Sequence, residues 1–216
     1  IYGLSLAKGL VESGQVKNVL LLTSEVANKV IHPENLELRS IFSDGAAATL
    51  IEQSESKGVY GFTFGTDGSG AEHLKVHQSG SREPMTVDWL ERNKEFGGMV
   101  WGTMEMNGLE IFHFSMREVP PLIESVLEKE GLTMDDIDLF VFHQANGFLL
   151  KTLRRKMNIP ESKFYMCLEN IGNTVSSTIP IALYEAKKDG SVKNGQKALI
   201  AGFGIGLSWG ATIIEL

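Results

Sequence analysis

Short apolar runs alternate with helical patterns along the second half of this 216-residue chain. The runs at 137–142 and 164–168 have the length and composition of strands, and helical spacing follows them at 147–157 and 174–188. Strands that alternate with helices form layers, because a helix that crosses between parallel strands packs on a face of the sheet. The pattern therefore predicts an α/β fold with mixed, mainly parallel sheets.

The same rules predict five further strands, at 19–23, 43–51, 59–64, 197–203 and 207–216, and two further helices, at 1–11 and 109–130. The last two strands are expected to be antiparallel around the glycine-rich turn at 202–206. The continuous apolar run at 19–23 is typical of a strand covered on both faces. Pro120 and Pro121 fall inside the second helix, which either begins at them or is kinked there. Residues 65–108 are irregular and glycine-rich, with a pair of glycines at 97–98, as is usual for a functional or interfacial segment.

Polar clusters follow two of the predicted strands at the point where each strand ends. The sequence HQAN at 143–146 comes after the strand at 137–142, and NIGNT at 170–174 comes just after the strand at 164–168. In open α/β sheets, ligands bind in the crevice beyond the carboxyl ends of the strands. We therefore expect an imidazole and an uncharged carboxamide to converge on one substrate.

Composition and charge exclude several classes of protein. The content of 43% hydrophobic and 22% charged residues is ordinary for a globular protein, and no apolar run reaches the ~18 residues that span a bilayer. The net charge of -7 argues against general affinity for nucleic acids, whose phosphates bind Lys and Arg. The single Cys167 rules out an internal disulfide and favours the reducing cytoplasm. Because Cys167 lies in an apolar run, we expect a structural thiol rather than a nucleophile.

Four stretches of the sequence resemble the β-ketoacyl-acyl carrier protein synthase III family, which has a thiolase-type fold. They are FSDGAAA at 42–48, HQAN at 143–146, GNT at 172–174 and GFGIGLSWGA at 202–211. They occur in the family's order and spacing and span nearly all of the chain. The resemblance implies a layered αβαβα fold, with 1–108 as the remainder of the N-terminal half and 109–216 as the C-terminal half.

The resemblance also implies an acyltransferase of fatty acid synthesis, which condenses a starter acyl-coenzyme A with malonyl-acyl carrier protein by means of Cys, His and Asn. His143 and Asn173 match the last two roles. The cysteine is expected about four residues before Ile1, at the tip of the first helix, where the helix dipole activates a thiol. The chain is therefore expected to be an N-terminally truncated fragment, inactive alone. Acyl-coenzyme A and acyl carrier protein are implied as substrates, with no cofactor, and a homodimer is expected. The other histidines have no spacing that suggests a metal site: His32, His73, His77 and His113.

The chemistry of condensation explains why these residue types suit it. Loss of carbon dioxide from the malonyl group leaves an enolate, whose oxygen needs preorganised hydrogen-bond donors. His143 Nε2–H and the Asn173 amide are suitable, because neither brings a negative charge. A histidine at a helix N-terminus should favour its neutral form. Thr174, a preferred N-cap residue, is expected to cap the following helix while Asn173 acts on the substrate.

The glycine-rich turn and a basic helix face supply two further candidates. The backbone N–H groups of Gly204 and Ile205 are expected to complete the thioester oxyanion hole, although a plain tight turn explains the same glycines. Lys151, Arg154 and Arg155 share one helix face, which is either a docking patch for an acidic carrier protein or a solvated surface. Arg39 is a further candidate for contact with coenzyme A phosphates.

Two alternative functions stay open. The chain could belong to a condensing enzyme of a related lipid or secondary-metabolite pathway, or it could be a non-catalytic partner or proteolytic remnant. Retention of His143 and Asn173 favours catalysis.

Overall fold

The computed structural model describes residues 1–55, 57–92, 94 and 103–216, so the glycine pair at 97–98 lies outside the described residues. Eight strands and seven α-helices are found in that part of the chain. The strands are β1 Asn18–Glu25, β2 Gly45–Glu52, β3 Val59–Thr66, β4 Leu74–His77, β5 Thr103–Met106, β6 Leu139–Phe142, β7 Lys197–Gly204 and β8 Ser208–Glu215. The helices are α1 Tyr2–Glu12, α2 Leu36–Arg39, α3 Val87–Arg92, α4 Gly108–Glu130, α5 Gly147–Lys156, α6 Leu168–Ile171 and α7 Thr178–Lys188.

A four-stranded sheet in the order β3-β8-β7-β6 forms the centre of the molecule. Its strands are apolar on both sides, so both faces must be covered. One face packs against α4 and α5 through residues such as Phe142 and Leu150. The other face packs against α7 and the start of α1, where Val141 and Ala182 belong to one apolar cluster and Ile1 packs against it.

A two-stranded sheet of β1 and β2 lies on the far side of α1 and α7. Its burial alternates residue by residue, and its inner face carries Leu21 against Gly3 of α1. Its outer face exposes Leu20, Leu22 and Leu50 by 58%, 66% and 56%. The prediction that the strand at 19–23 is covered on both faces is therefore wrong for the described residues. These residues form four layers, whereas the αβαβα fold has five.

Strand pairing is mainly antiparallel, which corrects the expectation of mainly parallel sheets. In the described part of the chain, β6 and β7 are the one parallel pair of named strands. The antiparallel pairing of β7 and β8 itself is confirmed, because a turn of three residues joins the two strands and so forces them to run in opposite directions. Isolated parallel bridges join Phe42 to Asn173 and Phe140 to Phe164.

Helix α4 runs through both of its prolines, so the second helix does not begin at Pro120. It starts at the Asn107 cap, whose side chain accepts the N–H of Glu110, and it ends at Gly131, which has a φ of 65°. The segment around Pro120 is buried against the sheet, which offsets the hydrogen bonds that the prolines cannot make.

Three other expectations need correction. The predicted strand at 164–168 forms only the single bridge at Phe164. The predicted helix at 174–188 begins at Thr178, after a 3-10 turn over Val175–Ser177. The segment at 65–108 contains β4, β5 and α3, which the sequence pattern missed. The division at 108 stays a prediction, although β3 pairs with β8, so the two ranges share one sheet.

Candidate active site

His143 is held by the backbone at the end of the parallel pair β6–β7. Its N–H donates to the carbonyl of Ala201 over 2.7 Å, which extends the pairing one residue past Phe142. Its ring meets the ring of Phe203 edge to face at 5.7 Å. The imidazole is therefore fixed beyond the carboxyl end of β6, as the sequence pattern predicted.

The imidazole of His143 is neutral at physiological pH. Part of the His143 side chain is accessible to solvent, but most of the surroundings of its ring are protein atoms. This burial lowers the pKa of the imidazole to about 4, although the carbonyl of Val175 acts in the opposite direction by favouring the protonated ring. The neutral form was expected from a helix dipole, whereas burial is the main cause in the structure. Nδ1 lies 2.7 Å from the hydroxyl of Thr178, and Nε2 makes no hydrogen bond to a described residue.

Asn173 is held on both sides by the backbone that precedes β2. Its N–H donates to the carbonyl of Ile41 over 3.0 Å, and its carbonyl accepts the N–H of Ser43 over 2.9 Å. The side-chain Oδ1 accepts the N–H of Val175 over 2.9 Å. That bond identifies the oxygen of the carboxamide and leaves the Nδ2 hydrogens without a partner in the described part of the chain.

The capping role expected of Thr174 is wrong. Thr174 makes no side-chain cap bond, and its hydroxyl is buried without a hydrogen-bond partner among the described residues. Asn173 instead satisfies the nearby N–H of Val175. The asparagine thus both closes the turn through its oxygen and keeps its nitrogen free.

The turn at 175–178 joins the two predicted residues, which are far apart in sequence. Val175 bonds to the side chain of Asn173, and Thr178 bonds to the ring of His143. Neighbouring hydroxyls tie this turn to β1, because Ser177 Oγ lies 2.9 Å from Thr23 Oγ1 and Ser176 Oγ donates to Glu25 over 2.7 Å. The structure therefore brings His143 and Asn173 to one rigidly supported turn.

The start of α1 also lies next to this site. A Cβ on Gly202 would lie 3.3 Å from Cγ1 of Ile1, so this glycine lets the helix start approach β7 closely. Gly202 directly follows Ala201, the residue whose carbonyl holds His143.

The turn between β7 and β8 places Gly204 and Ile205 at its tip. The side chain of Ile205 is 53% exposed, and its carbonyl accepts the hydroxyl of Ser208 over 2.9 Å. Two backbone bonds between Asp67 and Leu207, of 2.9 and 2.8 Å, hold the base of the turn. The oxyanion role of Gly204 and Ile205 stays a prediction.

The basic face of α5 separates into two parts. Lys151 and Arg155 are exposed, and neither has an ion-pair partner among the described residues. Arg154 folds back, donating to the carbonyl of Ile159 over 3.3 Å and to Glu161 over 3.2 Å. Arg154 is thus occupied within the chain, unlike the other two predicted docking residues. Arg39, the candidate for contact with coenzyme A phosphates, lies on α2 and lines an open depression together with Lys29 and Asp44.

Two residues that shape the site were missed from sequence. The buried Gln144 donates from Nε2 to the carbonyl of Phe142 over 2.7 Å and accepts the N–H of Cys167 over 3.0 Å. Thr178 was missed because its distance of thirty-five residues from His143 carries no recognisable spacing. For Gln144, the one signal in the sequence was its position directly after His143 in the HQAN cluster.

Cys167 is poorly suited to act as a nucleophile. It is half-buried beside Gln144, and burial raises the pKa of its thiol to about 11, so the reactive thiolate is scarce at neutral pH. In the described ranges no cluster of His, Cys, Asp and Glu could hold a metal ion. None of the helices described has both the length and the apolar character needed to cross a bilayer.

Two family models match the chain along most of its length. The model described as 3-oxoacyl-[acyl-carrier-protein] synthase III matches residues 1–68, and the model described as the C terminal of the same synthase matches residues 127–216. The chain belongs to the 3-oxoacyl-acyl carrier protein synthase III family. Membership confirms the resemblance and the thiolase-like α/β fold class that the sequence motifs implied.

Curated relatives and solved structures agree with this assignment. The β-ketoacyl-acyl carrier protein synthases III of Caldanaerobacter subterraneus and Fusobacterium nucleatum are 35% and 36% identical over 216 residues, which is all of this chain but 63% and 64% of those proteins. A crystal structure of a 3-oxoacyl-acyl carrier protein synthase III matches with 42% identity and a TM-score of 0.91, over 100% of this chain and 65% of that one. The Thermus thermophilus enzyme matches with 31% identity and a TM-score of 0.85, over 100% of this chain and 64% of its own. The chain thus spans slightly less than two thirds of these relatives.

Proposed function

We propose that the chain is the larger part of an enzyme that condenses an acyl-coenzyme A starter with malonyl-acyl carrier protein, releasing carbon dioxide and forming a 3-oxoacyl-acyl carrier protein. Family membership supports a condensing acyltransferase, and the site geometry supports the decarboxylating step in particular. A homodimer and a cytoplasmic location are part of this proposal.

The observation that carries the proposal is a pair of uncharged nitrogen groups held by one turn. Nδ2 of Asn173 and Nε2 of His143 make no hydrogen bond within the described chain, while the other polar atom of each side chain is anchored. The neutral ring follows from burial, which lowers its pKa to about 4. Two anchored donors without negative charge suit a developing enolate oxygen.

A thiol nucleophile is proposed about four residues before Ile1, at the N-terminal side of α1. The closeness of Ile1 to Gly202 places this helix start near the strand end that holds His143. The thiol would attack the starter thioester, forming a new carbon–sulfur bond as the coenzyme A thiol leaves. The malonyl group would then lose carbon dioxide, and its C2 carbon would attack the acyl carbon, which frees the thiol. Without that cysteine, a polypeptide of residues 1–216 should not form the acyl-enzyme.

The first experiment removes each proposed hydrogen-bond donor in turn from the full-length protein. His143→Ala and Asn173→Ala should each slow decarboxylation of malonyl-acyl carrier protein by at least ~100-fold, the scale of losing one oxyanion donor. Asn170→Ala, an exposed asparagine on α6, is the matched control and should keep the normal rate. Release of labelled carbon dioxide measures the rate. An unchanged rate in the His143 or Asn173 variant would remove that residue from the mechanism.

Carrier docking is proposed for Lys151 and Arg155, with Arg154 in a supporting role. Replacing Lys151 and Arg155 by Ala together should weaken carrier binding about 10-fold at low salt, because exposed opposite charges attract over the Debye length. The difference should shrink at 1 M salt. Lys187→Ala, an exposed cation on α7, is the control. Equal affinity of the double variant and the parent at low salt would leave this face as a solvated helix surface.

A second candidate function has one specific observation in its favour. The priming β-ketosynthase of the R1128 polyketide pathway matches with 30% identity and a TM-score of 0.86 over all of this chain. A comparison of acyl-coenzyme A starters of different chain length in the condensation assay separates the two pathways. A non-catalytic partner, the third alternative, would show no condensation with any starter.

A further inference from the structure

Thr178 is fully buried at the start of α7 and is the one described side chain that hydrogen-bonds the ring of His143. Its hydroxyl oxygen lies 2.7 Å from Nδ1 of His143 and 2.9 Å from the carbonyl oxygen of Val175. A hydroxyl has a single proton, so it donates to one of these two acceptors at a time. The choice decides which ring nitrogen of His143 carries a proton.

The two arrangements have opposite chemical consequences. If the hydroxyl donates to Nδ1, the one proton of the neutral ring lies on Nε2, which is then a donor. If the hydroxyl donates to Val175, Nδ1–H donates to the hydroxyl, and Nε2 is left with a lone pair. An enolate oxygen is stabilised only by the first arrangement.

The local contacts favour donation to His143. The carbonyl of Val175 already accepts the backbone N–H of Thr178, so it has a partner without the hydroxyl, although it also interacts as an acceptor with the ring of His143. Nδ1 has no other hydrogen-bond donor among the described residues, and it is the closer of the two acceptors.

We infer that Thr178 is a positioning residue that donates to Nδ1 of His143 and thereby keeps the ring proton on Nε2. Its purpose rests on the proposed function, since the donor would act on the enolate oxygen. Val175 acts in the same way on Asn173, because its N–H occupies Oδ1 and leaves Nδ2 as the free donor. Val175 has a φ of 52°, a left-handed conformation that is strained for a β-branched residue and is common at functional sites. One turn thus sets the hydrogen-bonding direction of both side chains.

The experiment measures the tautomer directly, in the protein as its gene encodes it. The nitrogen chemical shifts of ¹⁵N-labelled histidine distinguish a protonated from an unprotonated ring nitrogen, and His143→Gln assigns the signals. The parent and Thr178→Ser, which keeps the hydroxyl, should show the proton on Nε2. Thr178→Val, which keeps the shape but not the hydroxyl, should move the proton partly or wholly to Nδ1. Thr212→Val is the matched control, because Thr212 is also fully buried and donates to a backbone carbonyl, that of Tyr60, over 2.6 Å.

The rate of malonyl decarboxylation supplies the second readout. Thr178→Val should lower it about 10-fold, less than the loss of a whole oxyanion donor, while Thr178→Ser should stay within about 3-fold of the parent. A proton on Nδ1 in the parent would overturn the inference, and so would an unchanged tautomer in Thr178→Val. The parent spectrum decides the direction of the bond even where Thr178→Val does not fold. A parent protein that keeps Nε2–H but does not decarboxylate malonyl groups would instead count against the proposed function.

Discussion

At the scale of single residues, the charge state of His143 follows from what surrounds its ring. Protein atoms replace water around the imidazole, so adding a proton there is unfavourable, and the pKa falls to about 4 from an ordinary value near 6.5. The helix dipole, which the sequence suggested as the cause, is not needed to explain the neutral form. The same burial connects the candidate chemistry of His143 to the stability of the fold.

The pH dependence of stability tests this connection. Above pH 6.5 neither the folded nor the unfolded state protonates His143, so its contribution is complete. As the pH falls from 6.5 to about 4, only the unfolded state gains the proton, and the free energy of unfolding should decrease by up to about 3 kcal/mol. His143→Gln should lose this part of the pH dependence. Urea unfolding of parent and variant between pH 7 and pH 4.5 measures it, and parallel stability curves would mean that the ring is readily protonated in the folded state.

At the scale of elements, the buried side chain of Gln144 takes the place of a strand pairing. Residues 164–168 have the composition of a strand, yet only Phe164 bridges to β6. Beyond that bridge, the carboxamide of Gln144 donates to the carbonyl of Tyr165 over 3.4 Å and accepts the N–H of Cys167 over 3.0 Å. The side chain satisfies backbone groups that a regular strand would satisfy, and the chain turns away toward Asn173.

Replacing Gln144 by Met should show the cost of losing this connection. Met keeps the length of the side chain but leaves buried N–H and carbonyl groups without partners, which should lower the free energy of unfolding by about 2 to 4 kcal/mol. Gln15→Met, at an exposed glutamine after α1, should change it by less than about 0.5 kcal/mol. Chemical denaturation of both variants gives the two values. A small loss for Gln144→Met would mean that these backbone groups find other partners.

The predictable elements are those whose signals are local. Helix α4 follows from its apolar period and from Gly131, and β7 and β8 follow from apolar runs around a glycine-rich turn. The pairing of β4 with β5 was missed because the two strands, at 74–77 and 103–106, are far apart in the sequence. His143 and Asn173 were found through short motifs at strand ends. Thr178 and Gln144 were not, because their roles depend on which atoms meet in three dimensions.

At the scale of the whole molecule, the layers differ in how well they are covered. Both faces of the four-stranded sheet are packed, and its central residues, such as Phe140 and Ile200, are fully buried. The two-stranded sheet is packed only on its inner face. Its outer face carries Leu20 and Leu22 of β1 opposite Leu50 and Ala48 of β2, with no charged residue among these cross-strand partners. Such a contiguous apolar surface is unusual for a face in contact with water.

A polypeptide of residues 1–216 should therefore self-associate through this outer face of the two-stranded sheet. Replacing Leu20, Leu22 and Leu50 together by Thr keeps a high strand propensity and removes the exposed apolar groups. We expect lower binding of a hydrophobic dye and less self-association in sedimentation, because exposed apolar strands with open edges promote association. Leu109→Thr, at an equally exposed leucine on α4, is the control and should leave both measurements unchanged. Unchanged dye binding in the triple variant would place the association surface elsewhere, whereas a loss of folding would show that these leucines are buried within the polypeptide.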